Sequence, residues 1–513
     1  VSIIKEAIQQ NKKILIVADF DADGATSCAL AVRGLHMLGA KSVEFVVPDR
    51  FKFGYGLTPE IVDVALRSKP DLIITVDNGI SSIDGVAHAI EQGCQVVVTD
   101  HHLPPKELPK ADAIVNPQLL GDEFPSKAIA GVGVMFYVLL ALRAKLSRDG
   151  AFDSVKPPNL ATLLDIVALG TVADVVPMDE TNRKLVQQGL LRIQAERCVP
   201  GIKALLRIAK REPARVVASD LGFGIGPRLN AAGRLDDMSL GIRCLLTDDK
   251  QEAQDIAEQL DMLNHERRSI EDDMKQDAYK ILASLAVKDQ QAEQWGVCLF
   301  DEHWHQGVIG ILASRIKEKL NRPVIAFAKS SEDEVKGSAR SIPGLHIRDT
   351  LDDIASQHPQ LLKKFGGHAM AAGMSLAAKD LALFTALFNE AVKQRLNAEK
   401  PENVFLVDGE IPDEDINLAL AETLRNGGPW GQSFPEPVFV GTFRVKNARI
   451  LAQKHIKLEL ETQQKCRKID AIYFNVDKPD SIIGLANVRL VYTLDVNTYM
   501  GRSRVQLIVK HIE

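Results

Sequence analysis

Four short runs rich in β-branched residues, ILIVA (14–18), VEFVV (43–47), LIITV (72–76) and QVVVT (95–99), alternate with helical stretches at 26–38, 59–67 and 82–92. Alternation of this kind predicts a parallel sheet with helices on both faces. Such sheets place ligands beyond the carboxyl ends of their strands. The polar residues follow that rule: Asp19, Asp21 and Asp23 come after the first run, Asp77 after the third (VDNG), and Asp100, His101 and His102 after the fourth (TDHH). One acid at a strand end is ordinarily a cap for the next helix. Five acids and two histidines at three strand ends are a site. Asp174, in LGTVADVVPM, follows a further apolar run and is either another cap or the completing member.

Carboxylates so close together need a cation. D-x-D-x-D-G also opens a calcium-binding EF-hand loop, but that loop needs a Glu at its twelfth position and a helix before it. The twelfth residue counted from Asp19 is Leu30, and KKILIVA reads as a strand, so that reading fails. Oxygen-rich ligation with one or two imidazoles suits Mn²⁺ or Mg²⁺. The excess of carboxylates over one cation's needs points to two metals bridged by an Asp, a pair that activates water and neutralises charge on a phosphoryl group. The reaction class is phosphoester hydrolysis.

At 513 residues the chain needs two to four domains. Its six cysteines are scattered without a C-x-x-C, which excludes a zinc ribbon and predicts reduced, buried thiols in a cytosolic protein. The longest apolar run, 128–142, is too short to span a bilayer and reads as a buried helix; no secretory signal is visible. A net charge of −6 makes no global case for nucleic-acid binding, so any basic surface must be local. Segment 201–245 is the local exception, with eight Lys or Arg against four acids. Within it, GPRLNAAGR reads as a loop offering Arg228, Asn230 and Arg234 to a phosphate backbone. PDRFKFGYGL places Arg50 for a phosphate and Tyr55 for base stacking on another glycine-bearing loop.

Residues 249–288 contain neither Gly nor Pro and read as one long helix joining two lobes. From about residue 404 the pattern becomes short alternating strands, VFVGTFRV, IKLELE, KIDAIYF, RLVYTLDV and RVQLIVKHI, which suggest a small β-barrel. Lys446, Arg449, Lys454, Lys457, Lys465, Arg467 and Lys468 accumulate there beside Phe443, Tyr473 and Phe474, the combination that binds single strands.

DFDADGATS, VDNG, TDHH and TVADVVPM, in that order, resemble the successive motifs of the DHH phosphoesterase superfamily. GPRLNAAGR, HQGVIGILASR, KGSARSIPGLH and FGGHAMAAG narrow the likeness to its bacterial single-strand-specific 5′→3′ DNA exonucleases, from about residue 10 to the end. The resemblance implies Asp21, Asp23, Asp77, His101 and Asp174 as ligands to two Mn²⁺ or Mg²⁺ ions, with Asp77 bridging. His102 would contact the scissile phosphate and Asp100 would orient the histidines. The superfamily usually has a His where this chain has Val17, a departure for which Asp19 would compensate. Ser338 and Arg340 are implied to form a 5′-phosphate pocket, with His305, Gln306 and His368 as further substrate contacts.

The fold implied is α/β: a DHH domain (1–205), a basic segment and connecting helix (206–290), a smaller α/β DHH-associated domain (291–400) and an OB-like barrel (404–513). The activity implied belongs to DNA repair and recombination, carried out by a cytoplasmic monomer on single-stranded DNA, beside a helicase and a single-stranded-DNA-binding protein. A hydrolase of small substrates (short oligonucleotides, cyclic dinucleotides, pyrophosphate) would need neither the long helix nor the barrel. A catalytically inactive DNA-binding scaffold would not need the acids.

Overall fold

Strands β1 (Ile14–Ala18), β2 (Val43–Val46), β3 (Leu72–Val76), β4 (Gln95–Thr99) and β5 (Ala113–Val115) form one parallel sheet in the order β2-β1-β3-β4-β5. This is a computed structural model; it describes residues 1–513 apart from 50, 51, 54, 289–293, 400, 403, 465, 466, 477 and 500. Every residue of β1 and β3 is buried, which is why both read as unbroken apolar runs rather than alternating ones. The chain leaves β1 toward one edge for β2 and returns past β1 to β3. The crevice at the carboxyl ends of β1 and β3 is therefore the topological switch point, where sheets of this order take their ligands.

The Ala22–Met37 helix that follows β1 is buried over almost its whole length, and small residues make that burial feasible. A Cβ on Gly34 would stand 2.3 Å from Leu139 Cδ1 of the Gly131–Arg148 helix, so only hydrogen fits there. That second helix is the apolar run expected to be buried, and a third, Leu164–Ala173, ends at Asp174.

The chain divides into two compact units, one made of residues 1–261 with 405–513, the other of residues 262–404. A single helix, Lys250–Lys288, runs across that division, as its Gly- and Pro-free sequence predicts. In the second unit β6 (Val297–Asp301) and β7 (Val324–Lys329) are parallel. β8 (Glu334–Arg340), β9 (Leu362–Gly367) and β10 (Ala371–Ala377) complete a mixed sheet in the order β6-β7-β8-β10-β9. Its core gathers Phe327, Phe384 and Phe388 with Leu351 and Ile325.

In the C-terminal part of the first unit, β12 (Phe439–Leu451), β13 (His455–Thr462), β14 (Lys468–Tyr473), β15 (Asn487–Tyr499) and β16 (Arg502–Ile512) follow β11 (Gly409–Glu410). The order β12-β13-β14-β16-β15 returns to β12 through six β12–β15 pairs, Phe439↔Tyr492 to Arg444↔Asn487, and so closes a five-stranded barrel. Of the rings expected to stack on bases, Phe443 is in the barrel core and Tyr473 packs against it, because the pleat turns alternate residues inward; Phe474 is 47% exposed. Lys446 and Lys457 are paired with Glu461 and Asp470, and Lys465 lies outside the described residues.

Two further expectations need correction or limit. GPRLNAAGR is not a loop: Gly226–Leu235 is an α-helix, with Pro227 in its first turn, where proline is tolerated, followed by the strong helix formers Leu, Ala and Arg. The cysteines described are free, with Cys28, Cys94 and Cys244 buried; Cys466 is outside the described residues.

Candidate metal centre

Asp21 caps the Ala22–Met37 helix, one carboxylate oxygen accepting from the N–H groups of Asp23 (2.9 Å) and Gly24 (3.0 Å). Its other oxygen is left for ligation. Asp23, in the first turn, is buried and would be costly to ionise alone. The start of the Gly131–Arg148 helix meets it: Gly131 N–H donates to Oδ2 (2.6 Å) and Val132 N–H to Oδ1 (3.0 Å). These are N–H groups that a helix leaves unsatisfied at its positive end. A Cβ on Gly131 would lie 2.7 Å from Asp77 Cβ and Oδ1, so glycine lets this helix end reach both aspartates.

Asp77 itself has φ +61°, and Val175, directly after Asp174, has φ +62°. Left-handed backbone is tolerable for Asp but a true outlier for a β-branched residue, and such strain clusters at functional sites.

The strand ends converge. His101 Nε2 lies 3.1 Å from Asp77 Oδ1, 3.5 Å from Asp174 Oδ2 and 4.0 Å from Asp23 Oδ2. Three sets of donors each fall within 4.8 Å: Asp19, Asp21 and Asp77; Asp23, His101 and Asp174; and Asp77, His101 and His102. Asp77 is common to two of them, as a bridging ligand would be. Val17 is buried inside β1, and Asp19 rather than residue 17 stands within reach of Asp21 and Asp77.

Asp77 Oδ1 and Asp174 Oδ2 are shut off from solvent and receive no hydrogen bond among the described residues. Buried carboxylate oxygens without donors call for a cation, and carboxylates with one imidazole are the donor set of Mn²⁺ or Mg²⁺. The residues present therefore fit such ions. Charge tells the same story. Burial, then Asp174 and Asp21, pushes the Asp23 carboxyl well above its ordinary range. Burial, then Asp23 and Asp21, does the same to Asp77, and burial with Asp21 lifts Asp174 to about 7.

Asp100 behaves differently. It is buried, but Oδ1 accepts from His102 Nδ1 (2.7 Å) and His101 N–H (2.7 Å), and Oδ2 accepts from Ile80 N–H (2.9 Å). Burial opposes ionisation, yet the His102 bond outweighs it and holds Asp100 below its usual range. Burial likewise works against a charged His102, but the Asp100 bond and charge lift it to about 9. The Tyr55 hydroxyl lies 3.2 Å from the His102 ring and donates to Asp77 O (3.3 Å), while the residue stays 47% exposed. Arg50 lies outside the described residues.

The basic segment contributes in a way its composition does not announce. Asn230 Oδ1 accepts from Ala22 N–H at 2.9 Å, and a Cβ on Gly233 would fall 1.8 Å from Phe20 O. The Gly226–Leu235 helix thus braces the aspartate loop by its backbone. Arg228 is turned inward, to Asp261 (2.8 Å) and Gly224 O (2.5 Å), rather than toward an open surface; Arg234 is half-buried. Asn230 and Gly233 as braces, and the Gly131 and Val132 N–H groups, were missed in the sequence. Only the glycines hinted at close approach.

In the second unit Arg340 Nη1 donates to Ser338 Oγ (3.2 Å) and Ala339 O (2.8 Å). A Cβ on Gly310, in the first turn of the Ile309–Leu320 helix, would lie 2.8 Å from Ser338 Oγ and 2.9 Å from Arg340 Nη2. Burial alone lowers the Arg340 pKa, and no ion pair to it occurs among the described residues. Gln306 Nε2 is held by Lys329 O (2.9 Å), and His305 Nδ1 accepts from Gly307 N–H (3.1 Å). His368 is exposed at the β9–β10 turn, its N–H donating to Ala371 O.

Comparison with known proteins now bears on this geometry. The DHH family N-terminal domain model matches residues 13–171, the DHHA1 domain 282–394 and the RecJ OB domain 407–511. The single-stranded-DNA-specific exonuclease RecJ of Dickeya dadantii is 50% identical over 517 residues, covering all of this chain and 89% of the relative. The chain belongs to the RecJ family. Among solved RecJ structures, that from Thermus thermophilus in complex with Mn²⁺ superposes with a TM-score of 0.79 at 29% identity, over 100% of this chain and 70% of the other. The Mg²⁺ complex from the same organism gives 0.74 at 27% identity, over 100% and 69%. The α/β fold with DHH, DHHA1 and OB domains is thereby established. No helix among the described residues is long and apolar enough to cross a membrane.

Proposed function

We propose that this chain is an exonuclease that degrades single-stranded DNA from the 5′ end by hydrolysing phosphodiester bonds. The observation that carries the reading is the interlocking of two ligand sets through Asp77, in a chain whose relatives bear the name single-stranded-DNA-specific exonuclease. Asp19, Asp21 and Asp77 would hold one Mn²⁺ or Mg²⁺ ion, and Asp77, Asp23, His101 and Asp174 the other. Such a pair supplies an activated water and neutralises charge gathering on the phosphoryl group. His102, held by its hydrogen bond to Asp100, presents a donor to the scissile phosphate.

Polarity is assigned to the second unit. Ser338 and Arg340, set against the start of the Ile309–Leu320 helix, supply a hydroxyl and a guanidinium, donors a terminal phosphate takes. Gln306, His305 and His368 are read as supporting contacts, and Arg234 and Tyr55 as contacts to the strand near the metals. Asn230 acts through the brace instead, and Arg228 is held by Asp261. The protein is read as a monomer working in the cytoplasm beside a helicase and a single-stranded-DNA-binding protein. That part rests on the resemblance its motifs carry.

The deciding experiment is digestion of single- and double-stranded DNA labelled at one end, with Mn²⁺, Mg²⁺ or EDTA. The expected result is metal-dependent loss of single strands with release of the 5′ label first. Release of the 3′ label first, or equal attack on duplex, overturns the proposal.

A further inference from the structure

The segment that follows Asp174 lacks regular structure. Residues 175–179 leave the Leu164–Ala173 helix through the strained Val175, which is 64% exposed, and pass Pro177, which has no N–H to give. Its main-chain tie to a distant part of the protein comes from the C-terminal region. Met178 N–H donates to Gln432 O at 2.7 Å. The loop that provides this acceptor, residues 427–434, lies between the Leu418–Asn426 helix and β12.

That loop is firmly built. Gly431 and Phe434 exchange both main-chain hydrogen bonds, at 2.9 and 3.1 Å. Trp430 and Phe434 stack with ring centroids 5.0 Å apart, and the Trp430 indole N–H donates to Leu424 O (2.8 Å). It also fits its target closely. A Cβ on Gly431 would lie 2.8 Å from Met178 Cγ, and Arg183 lays its guanidinium over the Phe434 ring at 4.2 Å.

The contact reaches more than one ligand. Asp179 caps the Glu180–Gln194 helix and accepts from Ser126 Oγ (2.5 Å). Asn182, fully buried, donates to Pro177 O and Ala128 O, both at 2.8 Å. A few residues on, Gly131 and Val132 hold the Asp23 carboxylate. One continuous set of bonds therefore runs from the 427–434 loop to the two ends between which Asp174 and Asp23 are set.

We propose that residues 427–434 are a latch that positions Asp174, and through the 126–132 segment Asp23, so that the C-terminal region completes the metal centre. Trp430 and Phe434 are its positioning residues; neither touches the reacting atoms. The idea rests on the metal centre proposed above.

The test uses the full chain. Mn²⁺ binding is followed by isothermal titration and by the electron paramagnetic resonance of free Mn²⁺, with single-strand affinity measured separately in Ca²⁺. For Phe434→Leu the expected result is a 10- to 100-fold weaker second Mn²⁺ site, the usual cost of losing a residue that orients a ligand. Single-strand affinity should stay within about twofold of the parent, and Phe434→Tyr, which keeps the ring, should restore Mn²⁺ binding. Two undisturbed Mn²⁺ sites in Phe434→Leu, whether or not its thermal midpoint falls or its DNA binding drops, overturn the latch alone. A parent protein that binds no pair of Mn²⁺ ions overturns the metal centre, and the latch with it.

Discussion

The parallel-sheet crevice and the start of the Ile309–Leu320 helix are both places where charge is buried without its complement, and the signs are opposite. In the first, Asp23, Asp77 and Asp174 crowd together until burial and mutual repulsion raise all three. In the second, Arg340 is half-buried and lowered by burial, with Ser338 and a helix start around it and, among the described residues, no carboxylate paired with it. A protein ordinarily pairs such groups internally, because an isolated buried charge costs far more than an ion pair repays. Here Glu271 shows how that is done, lying between Arg267 (2.6 Å) and Arg315 (3.0 Å). On the function proposed above, each imbalance marks a ligand's place: divalent cations at one, a phosphate at the other.

The largest loss is expected at Asp77. Asp77→Ala removes the carboxylate shared by two ligand sets, and single-turnover cleavage should fall about 10³-fold or more, while single-strand binding stays within a few-fold. Fluorescence anisotropy in Ca²⁺ measures the second quantity; substantial residual cleavage would contradict a bridging role. Arg340→Ala attacks the opposite imbalance. Loss of a charge-assisted contact worth about 1.5–3 kcal/mol should slow digestion of 5′-phosphorylated strands by roughly 10- to 100-fold. Strands with a 5′-hydroxyl should be cut nearly as before, and equal loss on both would remove the phosphate assignment.

The smallest effect is on stability. Asp174 stands near 7 in the folded, metal-free protein against 3.8 for an ordinary Asp. Between those values the folded state binds protons that the unfolded chain has released, so stability without metal falls as pH rises from about 4 through 7. Mn²⁺ replaces those protons, so its stabilisation grows in the same direction, to about 2.7 kcal/mol at a hundredfold excess over Kd. Thermal melts at pH 6 and pH 8, with Mn²⁺ or EDTA, should give the larger increment at pH 8. An increment that ignores pH would mean the ion binds elsewhere.

The two sites were not equally legible. Asp19, Asp21, Asp23, Asp77, His101 and His102 could be found because a parallel sheet forces residues after successive strands to one rim, so order along the chain becomes proximity. Nothing similar governs the basic segment. Arg228 counts as surface charge in composition but is paired with Asp261, and Asn230 Oδ1 is taken by a backbone N–H. The donors that hold Asp23 are main-chain groups, which any residue but proline at 131 and 132 would carry. Only the need for glycine at 131 leaves a trace. Likewise the barrel was visible in its strand spacing, but which of its rings point inward depends on register, and Phe443 points inward.

The unfavourable backbone at Val175 has a consequence for anyone who would engineer this chain. A β-branched residue held at φ +62° costs about 1–3 kcal/mol, so glycine there is an obvious stabilising substitution. It is also the one most apt to harm the enzyme, since a relaxed hinge beside Asp174 would let that carboxylate wander. Thermostability and turnover should therefore trade against each other at position 175, and consensus or cavity-filling changes aimed at durability belong elsewhere in the molecule.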